Sequence, residues 1–188
     1  AETKIWLTLL YFQMLFTLLF GLLHTLSPSI IYDFQKDAAT NNWRVVDDGV
    51  MGGLSQGKLQ VDDEGHGVYS GTVSTENNGG FSSLRYRFST MEVSENQSVV
   101  LRIKGDGKKY QFRVKDKASQ YHSYIYTFET SGDWETIKIP LAEMYPSFRG
   151  RKLNIPNFNH TQIEEIAFLI GNKKAESFEL KIDKIEVE

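Results

Sequence analysis

The chain has 188 residues, a formal charge of −3 and a pI near 5.9. That length suits one ordinary domain with a sizeable core, and no basic run of the kind a nucleic-acid binder uses is present. There is no cysteine, which excludes thiol catalysis, disulfides, zinc–thiolate sites and lipid attachment through sulfur.

Between Ile5 and Tyr32 no residue is charged. The 22 residues Ile5–Leu26 are mostly Leu, Phe and Ile. As a helix they would span roughly 30 Å, about the depth of a bilayer core. Lys4 precedes them, and Ser27-Pro28-Ser29 follows with small residues at the positions a signal peptidase reads. The segment reads as a signal peptide or membrane anchor over residues 1–29, with one domain over residues 30–188. A functional leader would place that domain at a membrane or outside it; otherwise it lies on the cytoplasmic or matrix side.

From Ile30 onward the texture is short alternating runs split by Gly, Asn and Asp. The first punctuation is Asp47-Asp48-Gly49-Val50-Met51-Gly52-Gly53. It lacks the Lys-Ser/Thr of a phosphate loop, the spacing of a dinucleotide loop and the alternating ligands of a calcium loop. The expectation is a structural turn. Gly49, Gly52 and Gly53 take unusual backbone angles or allow close chain approach, and Asp47 and Asp48 bond to nearby amides. A second turn, Asn77-Asn78-Gly79-Gly80, joins the alternating runs around Tyr69 and Leu84.

The clearest alternation is "SVVLRIKGDGKKYQFRVKD". Val99, Leu101 and Ile103 share one face, as do Tyr110, Phe112 and Val114. Asp106-Gly107 between them suits a tight turn, which predicts a β-hairpin. Tyr124, Tyr126 and Phe128 share a face, and Trp134, Ile137, Ile139 and Leu141 follow. In the last strand Phe178, Leu180 and Ile182 are out of phase with Ile185 and Val187, which predicts a bulge near Asp183-Lys184. Helix signals are limited to single turns at "LAEMY" and "NHTQIEE", the latter capped by Asn159 or Thr161. Many short strands and few helices predict an antiparallel β-sandwich.

Chemistry-bearing residues are scattered. His24, His66, His122 and His160 are isolated, and the adjacent acids Asp62-Asp63 and Glu164-Glu165 face opposite ways on a strand. No nucleophile, cofactor or metal motif is legible. Phe148-Arg149-Gly150-Arg151 offers two guanidinium groups that could clamp an acidic partner or cap strand-end carbonyls. The aromatics, among them Trp43, Tyr110, Tyr121, Trp134 and Tyr145, suit a sandwich core, or sugar stacking if exposed on a concave face.

Taken in order, "WRVVDDGVMGGLSQG", "GTVSTENNGGFSSLRYRF", "GDGKKYQFRVKD", "FETSGDWETIKIPLAEMYPSFRGRKL" and "IEEIAFLIGNKKAESFELKIDKIEV" resemble the signature blocks of the complex I intermediate-associated protein family. The resemblance covers nearly all of Tyr32 to Glu188. It implies a jelly-roll β-sandwich of the galactose-binding-like class, related in fold to carbohydrate-binding modules. It also implies a non-enzymatic role without cofactor, since mitochondrial members are assembly factors for NADH:ubiquinone oxidoreductase. The implied partner is a protein, a complex I intermediate or another membrane complex. Arg85, Arg149 and Arg151 match the family's recurring arginines and are the expected partner contacts. The leader differs from an Arg-rich mitochondrial transit peptide, so the alternative is an extracytoplasmic carbohydrate-binding module with a glycan ligand.

Overall fold

The computed structural model describes residues 28–35 and 38–188. Among these residues thirteen strands form two antiparallel sheets packed face to face. They are β1 Ser29–Asp33, β2 Trp43–Asp47, β3 Gln56–Val61, β4 Gly67–Val73, β5 Ser82–Glu92, β6 Ser98–Lys104 and β7 Lys109–Lys115. Then follow β8 Ser123–Glu129, β9 Trp134–Pro140, β10 Tyr145–Phe148, β11 Arg151–Lys152, β12 Gln162–Ile170 and β13 Glu176–Val187. The first sheet runs β3-β4-β13-β6-β9, with β1 pairing the far half of β13. The second runs β11-β10-β8-β7-β12-β5-β2. The expected all-β sandwich is what the chain forms. The predicted N-terminal helix lies outside the described residues. Among those residues no helix is long and apolar enough to cross a membrane.

Alternation explains the layers. Tyr69, Leu101, Ile103, Leu180 and Ile182 point inward from the first sheet, and Leu84, Phe112, Val114, Ile166 and Phe168 from the second. Each is essentially without solvent exposure, and burying one such side chain contributes roughly 1.5–3 kcal/mol. The predicted bulge is present: pairing of β13 with β6 slips between Ile182 and Lys184, which returns Ile185 and Val187 to the core.

The predicted hairpin does not form. Both runs are strands, but β6 pairs with β9 and β13 in the first sheet, whereas β7 pairs with β8 and β12 in the second. The Gly105–Lys108 connection is an arch that carries the chain from one layer to the other. Gly105 lies against Thr130, so closely that a Cβ would sit 2.3 Å from its Oγ1. Asp106 accepts hydrogen bonds from the Tyr110 hydroxyl at 2.9 Å and the Glu179 amide at 3.0 Å, tying both layers to the arch. Two strands whose apolar faces look into one core alternate identically, whether paired or stacked.

One predicted helical turn forms, at Leu141–Glu143. The other does not: Gln162 opens β12, and Ile163 and Ile166 are drawn into the core on either side of a register shift.

Candidate functional site

The Gly-rich motif is an internal clasp. Asp48 opens the 3-10 turn Asp48–Met51, and its side chain is fully buried. Its Oδ2 accepts the Ser55 hydroxyl at 2.5 Å and the amides of Gly80 and Phe81 at 2.6 and 3.2 Å, and Oδ1 accepts the Ser55 amide at 3.1 Å. Burial pushes this carboxyl up, but the four donors outweigh it and hold it below the usual carboxylate range. Gly53 and Gly79 flank the carboxylate so closely that a Cβ would stand 2.2 and 2.6 Å from its oxygens. Asn77 donates to the Gly52 carbonyl at 3.0 Å. Asp47 continues the network: it accepts the Gly57 amide at 3.0 Å and the Ser82 hydroxyl at 2.5 Å, and Ser82 accepts the Tyr69 hydroxyl at 2.7 Å. The Asp47 and Asp48 carboxylates thus bind amides and hydroxyls of the fold itself. Gly49 meets no close neighbour and has no such role.

The outward face of the second sheet is a different environment. Register puts Arg44 opposite Arg85, Arg85 opposite Ala167 and Ala167 opposite Arg113. The row continues through Ile125 to Tyr145. The next row holds Arg87, Glu165 and Lys115. Five cationic side chains thus surround one carboxylate. Glu165 is buried; it accepts Arg87 Nε at 2.5 Å and lies 3.8 Å from Lys115 Nζ. Arg113 donates to the Gln111 side chain at 2.6 Å. Burial and the neighbouring Arg85 charge push the Arg113 guanidinium down to about 10. Arg85 is lowered by burial, and Lys115 likewise, each against the attraction of Glu165. Beside the row, Asn41, Asn42, Arg44, Arg85 and Arg87 line a recess of about 270 Å³.

Arg85 therefore stands at the centre of this face, but Arg149 and Arg151 do not join it. They belong to the β10–β11 hairpin. Arg149 and Gly150 both take positive φ, 49° and 75°, which makes a two-residue I′-like turn. β11 lies five strand positions from β5, about 24 Å away. Arg44, Arg87 and Arg113 were missed by sequence reasoning. Arg44 and Arg113 sit at alternating positions of strands whose partners a sequence does not reveal.

Two smaller clusters also assemble. Asp62, Glu64 and His66 bring ligand atoms within 4.8 Å of one another. Asp62, however, is committed to the turn: it accepts the amides of Glu64 and His66 and the Lys181 ammonium. Burial opposes ionisation there, yet the His66 amide and Lys181 hold the carboxyl at about 2. At the far end of the second sheet, Tyr124 and His160 share a hydrogen bond at 2.7 Å, with Asp116 3.7 Å from the His160 ring. His122 lies buried beside Tyr124, its ring lowered toward the neutral form by burial.

Most aromatics serve the core. Trp43 stacks on Tyr86 at 4.7 Å, and Tyr32 meets both rings edge-on. Among the described residues in the strands of the second sheet, Tyr145 is the single aromatic turned to the outward face.

Two antiparallel sheets with this topology define a jelly-roll β-sandwich, a fold shared with solved carbohydrate-binding modules. A family 11 carbohydrate-binding module from Clostridium thermocellum, solved in complex with a β-1,3-1,4-mixed-linked tetrasaccharide, superposes with a TM-score of 0.64 at 19% identity, over 85% of this chain and 94% of that one. The family 11 module of a cellulosomal cellulase from Clostridium thermocellum gives 0.63 at 18% identity, over 86% and 94%. Within that architecture the chain belongs to the complex I intermediate-associated protein 30 (CIA30) family, whose model matches residues 32–182. An uncharacterized protein of Schizosaccharomyces pombe is 27% identical over 179 residues, spanning 83% of this chain and 82% of the relative.

Proposed function

We propose that this chain is a non-catalytic binding protein that associates with assembly intermediates of respiratory complex I. Its partner docks on the outward face of the second sheet. The observation that carries this reading is the cationic field of Arg44, Arg85, Arg87, Arg113 and Lys115 on one open face of a CIA30 domain. Such a field recognises charge and orients a partner; it supplies no nucleophile and no matched acid and base. Glu165 is held by Arg87 and Lys115, so it serves as their counter-ion. The exposed turn carrying Arg149 and Arg151 makes a separate contact at the sheet edge. In the same proposal the uncharged run ahead of β1 holds the domain at a membrane.

The test is affinity capture of tagged full chain from detergent-solubilised membranes. The expected result is recovery of complex I subunits, reduced by Arg44→Gln with Arg85→Gln. Recovery of no respiratory subunit would overturn the assignment.

A second reading, glycan binding, is favoured by the likeness to the family 11 modules. It predicts saturable binding of a mixed-linked β-glucan with a change in Trp43 or Trp134 fluorescence. The near absence of aromatic platforms on the outward face favours the first reading, because a neutral sugar stacks its ring faces on aromatic rings and brings no charge to match a guanidinium row.

A further inference from the structure

We infer that the outward face of the second sheet is a binding site for an extended, acidic polypeptide segment, laid across the strands over Arg44, Arg85 and Arg113. This rests on the reading of the chain as a protein-binding member of its family. Three features of the face carry it. The first is unspent charge: among the described residues Glu165 is the one carboxylate in these rows, and it engages Arg87 and Lys115. Among the described residues the Arg113 guanidinium bonds to the neutral Gln111 side chain, and Arg44 and Arg85 enter no ion pair.

The second is spacing. Arg44 and Arg85 are direct cross-strand neighbours about 5 Å apart, and Arg85 and Arg113 are separated by Ala167, about 10 Å apart. An extended chain repeats its same-face side chains about every 7 Å, a spacing that long, flexible arginines reach from either interval. The third is the floor. Ala167 between Arg85 and Arg113 is small, so no bulky side chain separates the two arginines. A backbone can therefore lie close to the sheet while its carboxylates take the forked guanidinium donors.

The burial of Arg85 and Arg113 sharpens the site. A partly desolvated guanidinium beside like charge gains more from an incoming carboxylate than a fully hydrated one does. Glu165 acts as the internal competitor. Replacing it with the isosteric, neutral Gln removes the attraction holding Arg87 and Lys115 and releases both to the ligand.

The probe is a fluorescein-labelled decapeptide of alternating glutamate and serine, titrated by anisotropy into the full chain. Polygalacturonate and neutral mixed-linked β-glucan are run in parallel. The peptide is expected to bind saturably and to weaken as salt rises, with Arg44→Gln/Arg85→Gln losing about tenfold or more in affinity. Glu165→Gln is expected to bind the peptide more tightly than the parent does, a gain that a misfolded variant cannot produce. Failure of the parent to bind the peptide, equal binding by the double variant, or binding of polygalacturonate in its place would overturn the inference. If the full chain still captures respiratory subunits in that case, the assembly reading stands and only the site falls. Peptide binding without capture of any respiratory subunit supports the site and overturns the assembly reading.

Discussion

The amide of Gly80 donates to the carboxylate of Asp48 at 2.6 Å, across 32 residues of sequence. That bond laces the turn after β2 to the turn before β5. Ser55 and Phe81 complete the set around the same side chain. Asp48→Ala leaves these buried donors without an acceptor and is expected to cost about 3 kcal/mol or more. Asp48→Asn fares little better, because its amide group turns two hydrogens toward amides that need an acceptor. Denaturant midpoints of the three proteins check this.

Gly53 is the partner constraint. Its missing side chain is the space that Asp48 occupies. Gly53→Ala is expected to displace the carboxylate and to destabilise by roughly 2 kcal/mol, within the range for overpacking. Gly49→Ala, in the same motif, meets nothing and is expected to stay within about 0.5 kcal/mol of the parent. Equal effects at the two positions would contradict the clasp.

Acid is expected to remove a stabilisation held at Asp62. Burial raises its carboxyl, but the His66 amide and Lys181 win and hold it at about 2, below the ordinary 3.8. A depressed folded-state value means that the stabilisation is complete above the unfolded value and is lost as pH falls through the folded one. The melting temperature of the parent should therefore approach that of Asp62→Asn as pH drops from about 4 to about 2. A gap undiminished at pH 2 would argue against the ion pair with Lys181.

Arg149 carries a side chain at φ 49° in a turn that favours Asn or Gly. Arg149→Asn is expected to stabilise the domain by about 0.5 kcal/mol through relief of that backbone preference. If the turn is also a partner contact, the same substitution weakens capture while raising the melting temperature. A single variant thus separates the two roles.

Much of the fold was legible in the sequence because alternation reports which face is buried. The bulge near Asp183, the turn at Leu141 and the structural reading of Asp48 all follow from local patterning. The arch at Gly105–Lys108 was not legible, because Leu101 and Phe112 face the same core from opposite layers and alternate as hairpin partners would. The cationic face escaped for a related reason. Arg44, Arg85 and Arg113 are far apart in the chain, and only strand order β2-β5-β12-β7 brings them into one row. Arg149 and Arg151, adjacent and conspicuous, lie at the other edge.

The order in which the strands are made has its own consequence. β13, the last of these strands to be made, takes the middle of the first sheet, between β4 and β6 and against β1. Until it arrives, β4 and β6 have exposed edges and no common neighbour. A chain lacking Glu176–Val187 therefore holds an open, edge-rich sheet, the kind of species that chaperones bind.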